Sequence, residues 1–491
     1  MRLKRGRGTV LADLKEIYGK NIRLTPEAHE FLAQNEISPD VYGKILSSGA
    51  LFVTKEMVAE FLAKQEKIPT QPVSVARMAD FRPSAKEFSA SFRLSGRSDI
   101  TGKSNCTGKI EDFVAHFRNR FERISKILRV RITPNPLVTT NKLKESQGSR
   151  VRLIAMVTEK RTTKKGNFLL NVEDEEGSAK VVIPHDTEGF KLAQKMLLDD
   201  IVAFDGKNAD ELFISDAITW PEIPFAREQK RASRDCGIVY LSDLHFGSKK
   251  FLEKEFQHFI NWLNGSEGKK ELAGKVKYII ICGDLVDGIG IYPEQEKELI
   301  VKDIYKQYEM FDAAMEKIPD YITVIVTPGN HDAVRRAEPQ PALSTDLVKS
   351  NVVRAGNPSN VEIEGLKHLL YHGTSLDSII AGMGGLSYDR PEEAMLELVR
   401  RRHLSPIYGD NLIVPEERDY LVIDEEPDII HMGHVHKNGY MLYRGTLLLN
   451  SGTFQDRTDY QVRNGHHPSP GIVPVLEAAT GKLNHISFMG E

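Results

Sequence analysis

Seven residues of the C-terminal half are of types that hold or move charge, and each follows a short apolar run. "GIVYLSDLHFGS" (237–248) carries strand-forming residues into Asp243 and His245, and "VKYIIICGDLVDG" (276–288) runs into Asp284. "YITVIVTPGNHDAV" (321–334) delivers Asn330, followed by His331 and Asp332. "KHLLYHG" ends in His372, and "PDIIHMGHVHKNG" carries His434 and His436. A lone D-x-H in a chain with 15 His would be a turn-capping Asp beside a solvated imidazole. Five such strand ends in order are another matter. In open sheets with crossover connections, sites form outside the carboxyl ends of the strands, so this placement gathers one site from five distant segments. Carboxylate, amide oxygen and imidazole, with no thiolate, suit hard or borderline divalent cations. A two-metal centre needs roughly six or seven such donors and one bridging carboxylate, which matches this inventory.

Other histidines and arginines read more plainly. His258 and His368 fit structural roles, and His466 and His467 in "RNGHHPSPG" fit a solvated polar loop. Arg335 and Arg336 follow Asn330 closely enough to meet a phosphodiester backbone. Arg400, Arg401 and Arg402 in "RRRHLSPIYG" could do the same or could form an interface.

The elements that must position these residues divide the chain. Its 491 residues exceed one ordinary core, and about 150 residues per domain suggests about three domains. Residues 1–68 read as short amphipathic helices, several opening on Ser or Thr. Residues 69–109 turn to Pro, Ser, Gly and charge without periodicity, the texture of a flexible linker. Over 110–149 a helical connector places Ile110, Phe113, Phe117, Phe121 and Ile124 at helical spacing. From 150 to 224, short alternating strands, turn sequences such as "KKGN" and "DEEGS", and one helical segment fit a small Greek-key barrel of the oligonucleotide-binding type, an OB fold. Its basic turn, Lys160, Arg161, Lys164 and Lys165, fits a phosphate-tracking groove or a solvated charge run. Residues 236–491 alternate apolar strands with helices and loops.

Composition narrows the setting. A formal charge of -3 offers no global polycation, so any nucleic-acid binding must come from local patches. Cys106, Cys236 and Cys282 show no C-x-x-C spacing, which argues against a disulfide framework or zinc ribbon and fits a reducing interior. Apolar runs such as "YIIIC" fall far short of the roughly 20 residues of a membrane span, and no continuous apolar stretch follows the basic N-terminus. The sequence therefore reads as intracellular and cytoplasmic, without signal peptide, transmembrane segment or membrane partner.

The ordered set D-x-H, G-D, G-N-H-D, H-G and G-H-x-H resembles the calcineurin-like metallophosphoesterases. That resemblance implies an αββα sandwich, within a multidomain α+β chain, and two divalent metal ions, Mn2+ or Mg2+ by family expectation, although the donor types also admit iron or zinc. It implies that Asp243, His245, Asp284 and His436 hold one ion, and Asp284, Asn330, His372 and His434 the other, with Asp284 as bridge. His331 would be the catalytic group that protonates the leaving alkoxide, with Asp332 orienting it or only capping its turn, and the nucleophile would be metal-activated water. The order of helical region, linker, barrel and phosphoesterase further resembles the small-subunit family of the archaeal family D DNA polymerases, relatives of the accessory B subunits of eukaryotic replicative polymerases. Those B subunits have lost metal ligands, whereas this chain keeps all of them. The resemblance thus implies the small subunit of a two-subunit replicative DNA polymerase, with metal-dependent 3′-to-5′ exonuclease (proofreading) activity. A large polymerising subunit would be its stable partner, primer-template DNA its substrate, and a sliding clamp a contact at holoenzyme level. A non-catalytic scaffold subunit and a stand-alone metallophosphatase are the alternatives; the filled ligand set argues against the first and the barrel against the second.

Overall fold

The computed structural model describes residues 23–26, 28, 32, 52–55, 57, 58, 81–225 and 227–490. They belong to two compact units, 1–74 and 75–491. In the first, β1 (Arg23–Leu24) pairs in parallel with β2 (Phe52–Val53), and Ala28, Leu32, Val53 and Val58 are buried. The helical bundle expected over 1–68 otherwise lies outside the described residues, as do residues 69–80 of the expected linker.

Residues 81–109 correct the linker expectation, because they are built into the second unit. β3 (Phe92–Leu94) is a sheet strand, Phe81 packs on a hydrophobic core, and the Asp99 carboxylate accepts from the Gly356 N–H at 2.9 Å. A three-residue strand is too short to show a period, and its main-chain hydrogen bonds form whatever its side chains are.

The barrel follows. β4 (Leu137–Val138), β5 (Arg150–Thr162), β6 (Phe168–Asp174), β7 (Gly177–Ile183), β8 (Ile201–Ala209) and β9 (Leu212–Thr219) run in the order β4-β5-β6-β7-β9-β8. Pairing of β5 with β8 closes five of them into a barrel. Alternate residues point inward, among them Leu153, Ala155, Val157, Val202 and Phe204. The opposite face, Ile154, Ile201 and Ala203, packs on Phe121, Ile124 and Leu128 of the helix Ile110–Arg129. The connector expected over 110–149 is therefore α-helix only to Arg129; β4 already belongs to the barrel sheet, and a 3-10 helix, Thr140–Ser146, follows it.

The remaining strands are β10 (Gly237–Leu241), β11 (Val276–Cys282), β12 (Thr323–Thr327), β13 (Val353–Arg354), β14 (Ser359–Ile363) and β15 (Leu366–Leu370). β16 (Ile429–Met432), β17 (Asn438–Tyr443), β18 (Thr446–Ser451), β19 (Ile472–Glu477) and β20 (Lys482–Ser487) complete them. They form two six-stranded sheets, β13-β12-β11-β10-β19-β20 and β17-β18-β16-β15-β14-β3. Ile238, Tyr240, Tyr278 and Ile280 of the first meet Val361, Leu370, Ile429 and Leu449 of the second in a hydrophobic interlayer core. The alternate residues Val239, Leu241, Ile279 and Ile281 face the helices Glu253–Leu263 and Ile304–Met315. Leu369, Ile430 and Leu448 face the helices Leu376–Gly382 and Pro391–Arg401. This strict period of two on strands apolar on both faces produces four layers, the αββα sandwich expected of the C-terminal domain.

The arginine run docks the barrel onto this sandwich. Arg401 Nε donates to Asp200 Oδ1 and its Nη1 to Glu397 Oε2, both at 2.8 Å, while Arg402 Nη2 donates to Glu426 Oε1 at 2.8 Å. Of the two readings left open for these arginines, the structure realises an interface, internal to the chain. No helix among the described residues is long and apolar enough to cross a membrane.

Candidate metal centre

Every donor predicted from the sequence sits at a strand end of the sandwich. Asp243 and His245 follow β10, Asp284 follows β11, Asn330 follows β12, His372 follows β15, and His434 and His436 follow β16. Parallel strands side by side in each sheet present these ends along one rim, and the face-to-face sheets bring the two rims together. The packing there leaves no room for a Cβ at the adjoining glycines. One added to Gly433 would lie 2.4 Å from Asp243 Oδ2, and one added to Gly329 would lie 2.2 Å from Asp284 Oδ1.

Two groups of donor atoms converge. His245 Nε2 stands 3.0 Å from His436 Nε2, and Asp243 Oδ1 stands 3.4 Å from His436 Nε2. Asn330 Oδ1 lies 2.9 Å from His372 Nε2 and 3.0 Å from His434 Nδ1. Asp284 Oδ2 stands between the groups, 3.3 Å from His372 Nε2 and 3.8 Å from His245 Nε2. Donors about 2.0–2.2 Å from one cation are about 3 Å apart, so both groups have the spacing of edges of a coordination shell. The donor set therefore fits divalent cations, with Asp284 placed to be shared.

Neighbouring groups fix which nitrogen faces inward. His372 Nδ1 donates to the Cys282 carbonyl at 2.9 Å, which leaves Nε2 for the cleft. His245 Nδ1 is 2.9 Å from Asp287 Oδ1, and His434 Nε2 is 2.9 Å from Asp377 Oδ2. These are carboxylate–histidine pairs of the kind that orient and strengthen metal-binding imidazoles. Burial works against the Asp284 charge, but His372, His331 and His245 outweigh it and hold the carboxyl well below its usual range. Burial likewise opposes charge on His372, yet Asp284 and Asp243 push that imidazole up to about 10. A field of that sign and strength favours cations.

His331 is held differently from expectation. Its Nδ1 donates to the main-chain carbonyl of Asp287 at 2.7 Å, so Nε2, 4.0 Å from Asp284 Oδ2, is the atom free to take or give a proton. Burial holds its pKa below the usual value, partly offset by Asp284. Asp332 does not orient it. The Asp332 carboxylate accepts from Gly329 N at 2.9 Å, Leu285 N at 3.2 Å and Tyr308 Oη at 3.0 Å, which makes it the cap of the turn that presents Asn330.

The expected DNA contacts divide. Arg335 is corrected: its guanidinium is committed to the Pro339 carbonyl, Ser104 Oγ and Glu416. Arg336 is exposed and donates to the Gly290 carbonyl at 2.8 Å. Lys164 and Lys165 are exposed in the β5–β6 turn, whereas Lys160 donates to the Gln194 and Met196 carbonyls. His258 is exposed beside Glu267, and His368 is buried against Tyr240. His466, expected in a solvated loop, instead packs on Tyr388 with centroids 4.1 Å apart.

Sequence reasoning passed over Asp287, Asp377, Gln455 and Gln461. Asp287 carried a usable signal, three residues after Asp284 at the same strand end. Asp377, on a helix 90 residues further on, carried none. Gln455 donates to Asp287 Oδ1 at 2.9 Å, and the Gln461 amide is 2.9 Å from His436 Nδ1.

Residues 237–438 match the calcineurin-like phosphoesterase family. Over nearly the whole chain the similarity is to polymerase subunits. The DNA polymerase II small subunit of Archaeoglobus fulgidus is 39% identical over 97% of this chain and 98% of its own. That of Methanothermobacter thermautotrophicus is 36% identical over 92% and 94%, and that of Methanocaldococcus jannaschii 41% identical over 82% and 69%. The chain belongs to the archaeal DNA polymerase II small-subunit family and carries that family's calcineurin-like phosphoesterase domain.

Proposed function

We propose that this chain is the 3′-to-5′ exonuclease of a two-subunit DNA polymerase, hydrolysing the terminal phosphodiester of a primer strand while bound to a large polymerising subunit. The convergence of all seven donor residues, five of them lining one cleft and Asp243 and His372 buried behind it, carries this reading, because a scaffold has no need to keep them. Asp243, His245, Asp284 and His436 would hold one ion and Asp284, Asn330, His372 and His434 a second; each set pairs two oxygen donors with two imidazoles, and Mn2+ or Mg2+ is the ion the family resemblance points to. Such ions supply charge neutralisation at the phosphate and lower the pKa of water.

The chain's own residues do the rest. His331 is neutral at rest, its one proton on Nδ1 and donated to the Asp287 carbonyl, so a second proton can be taken up only at Nε2. The negative charge of an arriving phosphodiester opposes the effect of burial, lets Nε2 bind that proton, and so prepares it for delivery to the leaving 3′ oxygen. Asp287 and Asp377 keep His245 and His434 in place. Arg336, Lys164 and Lys165 are the exposed cations proposed to meet the DNA backbone.

The test is a Mn2+-dependent time course on a 5′-labelled, 3′-mismatched primer-template, comparing the wild type with His331→Ala, each alone and with the large subunit. Stepwise 3′ shortening that the variant loses is the expected result. No shortening by the wild type in a formed, metal-loaded complex would leave the scaffold reading in its place.

A further inference from the structure

The cleft above the donors holds about 270 Å3 and is lined, besides the donors and His331, by groups that neither the metals nor the proton transfer require. Four are rings. Tyr292 and Tyr460 stack at 6.2 Å with an interplanar angle of 29°, and Tyr388 packs on His466. Tyr292 lies 6.3 Å from the His331 ring, which puts the stack beside the proton-transfer group. Tyr460 is 56% exposed, so core packing does not account for it. None of the residues lining the cleft is Lys or Arg. The protein side of the cleft therefore offers an entering strand aromatic faces and carboxylates rather than Lys or Arg cations.

We propose that Tyr292 and Tyr460, with Tyr388 and His466 beside them, form a stacking platform that holds an unpaired nucleobase next to the scissile phosphodiester. The proposal rests on the phosphodiesterase reading above and names the substrate feature selected: a melted terminal nucleotide of any base. Stacking tolerates every base because each has a π-face. At about 270 Å3 the cleft lies at the lower end of ligand-pocket sizes, about 300–1,000 Å3, and suits one unpaired nucleotide, which a duplex end presents only after its terminal pair opens. A mismatched end opens at least cost, so the platform converts mispairing into residence at the site.

Two measurements on the full chain test this. In the first, a single-stranded oligonucleotide ending in 3′ 2-aminopurine is bound with Ca2+ in place of Mn2+. The wild type, His331→Ala and Tyr460→Phe should quench its fluorescence, and Tyr292→Ala/Tyr460→Ala should not. In the second, Mn2+-dependent removal of a normal 3′ nucleotide is compared with removal of an abasic tetrahydrofuran residue. The wild type should favour the base-bearing end by about 5- to 150-fold, the worth of one stacked base, and the double variant should bring that ratio near one. Quenching without any cleavage by the wild type would defeat the nuclease reading and leave the platform standing. Cleavage with equal base-bearing and abasic rates, or a ratio the double variant does not change, would overturn the platform.

Discussion

Asp287→Asn separates metal affinity from proton transfer, because the two depend on different atoms of one residue. The carboxylate stands 2.9 Å from His245 Nδ1 and accepts from Gln455 Nε2 at 2.9 Å, while the main-chain carbonyl holds His331 Nδ1 at 2.7 Å. Burial raises the carboxyl, but His245 and His331 more than offset it, so Asp287 is ionised at neutral pH. Asparagine has the same shape and lacks the charge. Exchanging a charge-assisted interaction of about 1.5–3 kcal/mol for a neutral one of about 0.5–1.5 removes about 1–2 kcal/mol of support from His245. That corresponds to about 5- to 30-fold in metal affinity, overlapping the 10- to 100-fold typical of such partners. Titration calorimetry with Mn2+ should show the weakened site, and the cleavage rate at saturating Mn2+ should fall by less than the affinity does. Unchanged affinity, or a loss of rate that added Mn2+ does not reduce, would refute the division of labour between carboxylate and carbonyl.

Further substitutions probe the surroundings. Gly433→Ala puts a Cβ 2.4 Å from Asp243 Oδ2 and should cost about tenfold or more in Mn2+ affinity by calorimetry, with the circular dichroism of the fold retained. Arg401→Ala strands the buried carboxylate of Asp200, leaving Glu397 to Arg400 and Lys195, and should cost about 3–5 kcal/mol in urea unfolding at pH 7.5. Burial pushes the Asp200 carboxyl up to about 6 even with Arg401 beside it, so the penalty should shrink at pH 5, where Asp200 takes a proton. His368 is buried and its pKa is pushed down to about 4, so it stays neutral and pairs with Tyr240 Oη at 3.0 Å. Because the unfolded imidazole titrates near about 6.5, its contribution is intact above that pH and fades, by up to about 3 kcal/mol, as pH falls toward 4. His368→Gln should flatten that loss in urea midpoints taken from pH 7 to 4.5.

What could be read in advance follows from where information lies along the chain. The donors were legible because each sits directly after a run such as "YIIIC", whose continuous apolar character marks a strand buried on both faces. Strand identity and donor identity were thus a few residues apart, and only their order had to be recognised. β3 was not legible, since its place is set by main-chain pairing with β14, some 270 residues later. The fate of the arginines was hidden for the same reason. Arg335 and Arg401 look alike as sequence, and only the folded position of Glu416 or Asp200 shows that their charge is already spent within the chain. The rings over the cleft come from two loops, at Tyr292 and Tyr388, and from the short helix Asp459–Arg463 with the turn after it, segments too short or irregular to show a period.

Backbone conformation at the donors links the site to stability. Asp243, His245, Asp284, His434 and His436 have φ of 52°, 54°, 52°, 70° and 56°, the left-handed region that costs non-glycine residues about 1–2 kcal/mol each. Such a residue turns the chain sharply at a strand end and aims its side chain along the sheet rim, which extended backbone would not do. The buried carboxylates of Asp243, Asp284 and Asp287 add mutual repulsion. A cation bound among them relieves that repulsion and binds the folded chain in preference to the unfolded one. Mn2+ at 100 times its dissociation constant should therefore raise unfolding stability by about 2.7 kcal/mol. Asp284→Asn, lacking the shared carboxylate, should lose most of that rise in thermal melts with and without chelator. A full rise in the variant would show that the stabilising ion sits elsewhere.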